Sequence, residues 1–144
     1  MSDDFLKPFR EIQQKFPRLF SRLLSQKDLT LPQYALLNLL RDSGSMPMTE
    51  ASTKLHITKP AVTNLVDQLE RKKYLERCEH ARDRRVYLLA IKPLGEKTVR
   101  QIQSHILGFL LKTLNQFTAG EKMIINRFYT LLGRTLEDVL SGMK

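Results

Sequence analysis

Apolar residues recur every three or four positions along most of the chain, the spacing that places side chains on one face of an α-helix. The first such stretch, residues 5–24, predicts an amphipathic helix in which Pro17 is expected to introduce a kink or a break. Thr30-Leu31-Pro32-Gln33 is a capping box with proline in the first turn, so a second helix is expected to run to about Arg41. Asp42-Ser43-Gly44-Ser45 then ends it.

The middle of the chain predicts two short helices joined by a tight turn. Thr49 is expected to cap a helix over residues 50–55, and Thr58 to cap a second helix that begins at Lys59-Pro60. The second helix has an apolar face of Val62, Leu65, Val66 and Leu69 and a polar face of Thr63, Asn64, Asp67 and Gln68. This arrangement is typical of a helix-turn-helix, although an ordinary helical hairpin has the same spacing.

A predicted β-hairpin follows the second short helix. Residues 74–79 alternate loosely, and residues 85–91 are rich in residues that favour strands. The charged segment His80-Ala81-Arg82-Asp83-Arg84 between them contains no glycine, so we expect a loop longer than a two-residue turn. A hairpin with a basic tip, placed directly after a helix-turn-helix, predicts a winged helix.

Two further long helices are predicted near the end of the chain. The first covers residues 94–117, and the second follows a capping box at Thr118-Ala119-Gly120-Glu121 and runs to about Leu140. Together with the first helix they present more apolar surface than one small winged helix can cover. We therefore expect the two ends of the chain to pack together and a second copy to cover the remainder.

These elements define a fold class that is mainly α with a small β-hairpin wing. Residues 30–92 are predicted to form a winged helix-turn-helix DNA-binding domain. Residues 1–29 and 93–144 are predicted to flank it as dimerisation helices.

Composition narrows the class of protein. The chain has 144 residues, of which 42% are hydrophobic and 27% charged, as in a soluble globular domain. Its one cysteine excludes an intramolecular disulfide and favours a reducing compartment, so we expect a cytoplasmic location. Met1-Ser2-Asp3-Asp4 is acidic where a secretion signal is basic, and no apolar run approaches the roughly 20 residues of a membrane span. We expect neither secretion nor membrane insertion.

The charge indicates a polyanionic partner. Lysine and arginine number 24 against 15 acidic residues, for a net charge of +9. Residues 54–92, which contain the predicted helix-turn-helix and hairpin, hold ten of the basic residues and five of the acidic ones. A solvated basic face without a partner is the alternative.

Six segments of the sequence, taken in their order along the chain, form a recognisable family pattern. They are Leu29-Thr30-Leu31-Pro32-Gln33-Tyr34, Met48-Thr49-Glu50-Ala51, Ile57-Thr58-Lys59-Pro60-Ala61-Val62-Thr63-Asn64-Leu65-Val66-Asp67-Gln68-Leu69-Glu70, Leu75-Glu76-Arg77, Asp83-Arg84-Arg85 and Gly95. In this order they resemble the MarR family of winged helix-turn-helix transcriptional regulators. The resemblance covers nearly the whole chain. It implies a homodimer that binds double-stranded DNA and a small-molecule effector pocket lined by parts of the first, second and fifth helices.

Four positions depart from the usual pattern of that family. His56 stands where the turn often has glycine, and Lys73 stands where glycine commonly closes the second short helix. Lys73 must therefore adopt the left-handed conformation or the helix must end in another way. Lys92 replaces a frequent threonine cap, and Pro17 is unusual in the first helix.

The residues of the second short helix have separate expected roles on DNA. Thr58 and Lys59 lie at its positive end and suit a phosphate, and the small Ala61 lets the helix lie deep in the groove. Asn64 can pair with adenine, and the Thr63 methyl can touch a thymine methyl. Gln68 and Arg71 are expected to reach phosphate, and Asp67 to hold a nearby arginine. The predicted DNA-binding set is Thr58, Lys59, Pro60, Ala61, Thr63, Asn64, Gln68 and Arg71.

The wing supplies the other predicted contacts. Arg85 matches the arginine that the MarR family inserts into the minor groove, where narrow A·T-rich stretches attract arginine. Asp83 is expected to brace Arg85, while Arg82 and Arg84 are expected to meet backbone phosphates. The alternative is a solvated tip.

Little in the sequence suggests other chemistry. His56, His80 and His105 lack metal-ligand spacing, and we interpret them as a turn residue, a wing residue and a helix-surface residue. Cys78 is expected to be a buried, inert thiol. No nucleophile–base group or glycine-rich phosphate loop is present, so we expect neither a cofactor, a metal nor an enzymatic activity.

Three functions remain open at this point. A sequence-specific, homodimeric regulator is favoured. A nonspecific architectural protein would use the same basic surface but would show little sequence preference and a steep salt dependence. A winged-helix protein-interaction module would not need Lys59 and Arg85.

Overall fold

A computed structural model describes residues 3–143. Met1, Ser2 and Lys144 lie outside the described residues. The predicted acidic start at residues 1–4 therefore falls partly outside them. The chain divides into two compact units, residues 1–103 and 104–144, with the boundary inside the fifth helix. The elements in order are α1 (Asp3–Gln26), α2 (Leu31–Ser43), β1 (Met46–Pro47), α3 (Met48–Leu55), α4 (Lys59–Arg71), β2 (Leu75–Glu79), β3 (Tyr87–Ile91), α5 (Pro93–Leu114) and α6 (Ala119–Gly142).

Both predicted capping boxes are present and begin long helices. At the start of α2, Thr30 Oγ1 accepts from the Gln33 backbone N–H, and the Gln33 side chain accepts from the Thr30 N–H. The same reciprocal pair joins Thr118 and Glu121 at the start of α6. There the Thr118 N–H bond holds the pKa of the Glu121 carboxyl below its usual value. Sequence alone therefore locates these two helix starts to the residue.

Pro17 does not split the first helix, because α1 runs without interruption from Asp3 to Gln26. The expected break is therefore wrong. Proline removes the hydrogen bond to the carbonyl of Gln13, four residues earlier. Both residues are solvent-exposed, so water can hydrate that carbonyl. The exposed position of α1 thus tolerates a proline that the local pattern disfavours.

The expected cap at Thr49 is also wrong. Helix α3 begins at Met48, two residues before the predicted start, after Pro47 in an extended conformation. Met46 and Pro47 form a short strand that pairs with Leu89 and Leu88 of β3, and Met46 is buried. This pairing fixes the chain just before the helix, so the helix begins immediately after the strand and Thr49 lies in its first turn.

The wing is a three-stranded antiparallel sheet in the order β1-β3-β2. The predicted strand that started at Arg85 begins instead at Tyr87. Arg85 belongs to the loop because the Val86 N–H donates to the Asp83 carbonyl, and the His80 N–H donates to the Val86 carbonyl, both at 3.1 Å. The loop is longer than two residues, as predicted.

Helix α5 ends at Leu114, three residues before the predicted end. The Gln116 and Phe117 N–H groups donate to carbonyls three residues earlier, which tightens the chain into a turn ahead of the Thr118 cap. Helix α6 runs two residues beyond the predicted Leu140.

The core of residues 1–103 is an apolar cluster that α2, α4, the sheet and the start of α5 share. Its largest fully buried side chains are Leu36, Leu37, Leu40, Val62, Val66, Leu69, Leu75, Leu89, Val99 and Ile102. Three of them come from the predicted apolar face of α4. The helix-turn-helix is therefore held with its polar face outward.

Candidate nucleic-acid interface

The turn between α3 and α4 sets the start of the candidate recognition helix. His56 ends α3 with φ 55°, the left-handed conformation that favours glycine. Ser52 Oγ donates to the Ile57 carbonyl at 2.6 Å and closes the turn. Thr58 then caps α4, as predicted, since its Oγ1 accepts from the Ala61 N–H at 3.2 Å.

The end of α4 follows the first of the two expected alternatives for Lys73. Lys73 has φ 62°, so a lysine occupies the left-handed position that the family pattern gives to glycine. The Tyr74 N–H donates to the Leu69 carbonyl at 3.0 Å, which closes the helix and leads into β2.

The first half of α4 presents small polar groups to solvent. Thr58, Lys59, Pro60, Thr63 and Asn64 are exposed, while Ala61 is half-buried. Thr63 Oγ1 donates to the Lys59 carbonyl at 3.1 Å, so its hydroxyl proton is used within the helix. This bond leaves the methyl group as the natural contact for another apolar group.

The second half of α4 lies beside the start of α2. Gln68 is half-buried, and its Oε1 accepts from Gln33 Nε2 at 2.7 Å. Gln68 Nε2 approaches Asn64 Oδ1 at 3.5 Å. Arg71 is exposed, and within residues 3–143 its side chain makes no hydrogen bond or ion pair. Its guanidinium group is therefore available to an external anion.

Asp67 holds an arginine, as predicted. Arg77 of β2 reaches α4 with two nitrogens: Nη2 lies 2.6 Å from Asp67 Oδ1, and Nη1 pairs with Glu70. The arginine side chain is 25% exposed. A planar guanidinium that contacts two carboxylates restrains both the distance and the relative orientation of the elements that carry them. The contacts of Arg77 with Asp67 and Glu70 therefore hold α4 against β2 of the wing.

The wing tip carries the four predicted residues in the loop between β2 and β3. Asp83 Oδ1 accepts from the Arg85 backbone N–H at 3.0 Å and from Arg85 Nε at 3.3 Å, which is the predicted brace. The Arg85 side chain is 91% exposed. Arg82 and Arg84 are exposed as well, and the Arg82 N–H donates to His80 Nδ1 at 3.1 Å.

Met48 connects the recognition helix with the wing tip. The Thr63 hydroxyl lies 3.8 Å from Met48 Sδ. Met48 also lines a small pocket of about 250 Å³ together with Thr49, Arg85 and Tyr87. The exposed start of α4 and the arginine of the wing therefore lie on the same side of residues 1–103.

A second pocket, of about 580 Å³, lies where the end of α1 and the start of α2 meet the end of α4. Its lining residues are Ser25, Asp28, Leu29, Thr30, Gln33, Gln68, Arg71 and Lys72. Gln68 and Arg71 are predicted DNA contacts, whereas Gln33 is predicted only as a helix cap and Lys72 has no predicted role. The approach of Gln33 to Gln68 joins residues 35 apart, and no local sequence signal reports it.

Cys78 differs from the expected buried thiol, because it is only half-buried on the outer strand of the sheet. Partial burial and the neighbouring Glu76 carboxylate raise the pKa of the thiol, which keeps it protonated and weakly nucleophilic. His105 is exposed on α5. Among residues 3–143, no group of three or more His, Cys, Asp or Glu side chains is placed to hold a metal ion. Within the same residues, no helix combines the length and apolarity that a bilayer crossing requires.

Comparison with known proteins gives one consistent family. Residues 29–87 match the MarR family. The chain is 27% identical over 124 residues to the uncharacterised HTH-type transcriptional regulator YsmB of Bacillus subtilis (strain 168), covering 86% of this chain and 85% of that protein. Its fold is similar to a MarR family protein from Bacillus stearothermophilus, with a TM-score of 0.78, 23% identity, and coverage of 93% and 94%. It is also similar to MepR in the S. aureus MepR–DNA complex, with a TM-score of 0.74, 25% identity, and coverage of 89% and 96%.

Proposed function

We propose that this chain, whose residues 29–87 match the MarR family, is a sequence-specific, double-stranded DNA-binding transcriptional regulator. It acts as a homodimer on a pseudo-palindromic operator. The observation that carries this proposal is the common exposure of the start of α4 and of Arg85, joined on one side of the domain through Met48. A DNA partner is supported by the MepR–DNA complex, whose fold this chain shares.

In the proposed complex, helix α4 and the wing contact different grooves of the DNA. Helix α4 enters the major groove with Thr63 and Asn64 toward base edges, while Thr58 and Lys59 position its start on a phosphate. The wing places Arg85 in the adjacent minor groove, and Arg82 and Arg84 on the backbone. Residues 30–92 are the DNA-binding domain in this proposal. Because a protein bound over a promoter excludes other proteins from it, we propose repression as the sign of regulation.

A pair of substitutions distinguishes base-specific recognition from nonspecific electrostatic binding to the phosphate backbone. Lys59→Gln is expected to weaken binding to all duplexes alike and to lower the slope of log affinity against log salt by about 1. Asn64→Ala is expected to cost about 1–3 kcal/mol on the preferred duplex and to relax the preference at one base pair. Competition binding at several salt concentrations measures both effects.

The matched control is Lys97→Gln, which removes an exposed lysine outside the interface, on α5. It is expected to leave both quantities unchanged. If Asn64→Ala weakened every duplex equally, the nonspecific architectural function would be supported instead. If neither variant changed binding, the protein-interaction module would be supported.

The homodimer is proposed from the apolar faces that the two units expose. In residues 1–103, α1 exposes Phe5, Phe9 and Ile12 by 68%, 53% and 60%. In residues 104–144, α6 exposes Ile124 and Phe128 by 70% and 59%. Soluble monomers rarely leave so many large apolar side chains in water, so residues 1–29 and 93–144 are the proposed dimerisation region.

Sedimentation equilibrium tests the homodimer directly. At micromolar concentration, we expect about twice the chain mass of 16.8 kDa. A mass near 16.8 kDa at that concentration would remove the basis of both the homodimer and the pseudo-palindrome.

Two further features of the proposal stay predictions. The pocket of about 580 Å³ has room for a small-molecule effector, and it shares Gln68 and Arg71 with the DNA-facing side of α4. It is bordered by α1, α2 and α4, whereas the effector pocket that the family resemblance implies is lined by the first, second and fifth helices. A cytoplasmic location follows from the proposed DNA partner.

A further inference from the structure

Gln33 is a buried amide whose hydrogen bonds leave it only one orientation. The residue is buried, with 4% of its surface exposed, and borders the pocket of about 580 Å³. Its Oε1 accepts from the Thr30 backbone N–H at 3.1 Å and from the Lys72 ammonium group at 3.3 Å. Both partners can only donate, so the atom that faces them must be the oxygen and not the nitrogen of the amide.

The orientation of Gln33 in turn fixes that of Gln68. With its oxygen occupied, Gln33 has only the NH₂ group left, and this donates to Gln68 Oε1 at 2.7 Å. Gln68 must therefore turn its own NH₂ group away from Gln33. That group lies 3.5 Å from the Asn64 oxygen, on the exposed face of α4.

We propose that Gln33 is a positioning residue that determines base preference from inside the protein, through Gln68 and Asn64. This inference rests on the proposed function, because it concerns the face of α4 that is proposed to read DNA. Gln33 itself does not touch DNA. It sets which polar atoms Gln68 and Asn64 present, and so which base edges they match. This assigns Gln68 to a base edge in place of the phosphate contact expected from the sequence.

The hydrogen bonds from Gln33 to Gln68 to Asn64 all run in one donor-to-acceptor direction. With one N–H directed at Asn64, Gln68 presents its other N–H outward, and a donor matches an acceptor such as guanine O6 or N7, thymine O4 or adenine N7. If Gln68 were reversed, its oxygen would face outward and would match the amino groups of cytosine or adenine. A buried residue thus selects between two complementary sets of base edges.

Gln33→Glu reverses the chain of hydrogen bonds while it preserves the cap. The introduced carboxylate still accepts from the Thr30 N–H and from Lys72, but it has no proton to donate to Gln68. Gln68 then turns its NH₂ group toward that carboxylate and its oxygen outward. We expect the preference at one base pair in each half-site to shift by tenfold or more away from guanine and thymine and toward cytosine. Adenine is not diagnostic, because it presents both an acceptor at N7 and a donor at N6. Because the added charge weakens binding to every duplex alike, the measured quantity is the ratio of affinities between duplexes that differ at that pair.

The experiment uses the full chain and the motif that the wild type selects from a random duplex pool, with single-base variants competed at fixed salt. Gln33→Glu is measured in the wild-type background and in a Gln68→Ala background. The shift is expected in the first and not in the second, because Gln68 carries the effect. Gln68→Glu keeps the bond from Gln33 and also places an oxygen outward, so it is expected to shift the preference in the same direction even if Gln33→Glu fails to fold.

Thr30→Ala is the control for a merely structural role. It removes the hydroxyl that caps α2 but keeps the backbone N–H that orients Gln33, so it is expected to lower Tm without changing the affinity ratios. An unchanged ratio in Gln33→Glu, an equal shift in both backgrounds, or the same shift in Thr30→Ala would overturn the inference and leave the proposed function intact. A wild type that selects no motif would overturn both.

Discussion

Replacing Arg85 with alanine is expected to weaken binding to the specific duplex by about 1–3 kcal/mol, with a smaller effect on random DNA. The side chain is 91% exposed, so it makes little contribution to folding and is available for DNA. Asp83 restrains it through both its backbone N–H and its Nε, which reduces the rotamer freedom lost on binding. Guanidinium groups are favoured in narrow minor grooves, where the negative potential is enhanced.

Two variants make the test of Arg85 specific. Arg84→Ala removes a neighbouring exposed charge and is expected to weaken binding to all duplexes similarly. Arg85→Lys retains the charge but loses the planar fork, and we expect it to recover only part of the affinity. Equal affinity of Arg85→Ala and the wild type for the specific duplex, at the same salt concentration, would show that the wing does not enter the minor groove.

Gly95→Ala is expected to lower the free energy of unfolding by about 3 kcal/mol, although alanine is the better helix former. A Cβ at this position of α5 would overlap the Tyr74 carbonyl oxygen and would lie 3.1 Å from Ile91 Cγ1. The Tyr74 carbonyl cannot move freely because it accepts from the Lys92 N–H at 2.9 Å. Glycine here lets the start of α5 pack on the turn that closes the recognition helix.

Urea unfolding of Gly95→Ala and of Gly108→Ala measures this effect against a matched control. Gly108 lies on the same helix, but no atom lies within 4 Å of the Cβ that alanine would add. The control is therefore expected to be unchanged or stabilised by as much as about 1 kcal/mol. A Gly95→Ala variant as stable as the wild type would contradict the tight packing of α5 on Tyr74.

Features that depend on neighbours in sequence could be predicted. Thr30 with Gln33, Thr58, and Thr118 with Glu121 all cap helices as expected, because a cap involves residues within one turn. Lys73 takes the left-handed conformation for the same local reason. The three apolar residues of α4 that pack fully into the core also follow from helical periodicity alone.

Features that depend on distant partners could not be predicted. Thr49 has the composition of a cap, but the pairing of Met46 with Leu89, 43 positions away, moves the helix start. Pro17 reads as a break, yet the exposed position of α1 tolerates it. The sequence identified Asn64 as a candidate base reader. It could not reveal that Gln33, predicted only as a cap, is linked to Asn64 through Gln68.

The measurement that tests the central claim most directly is selection of bound duplexes from a random pool at about 0.15 M salt, where nonspecific binding is weak. A homodimer of this winged helix is expected to enrich a roughly two-fold symmetric motif with half-sites about one helical turn apart. A retained pool with no enriched motif, or no retention at all, would contradict a sequence-specific regulator.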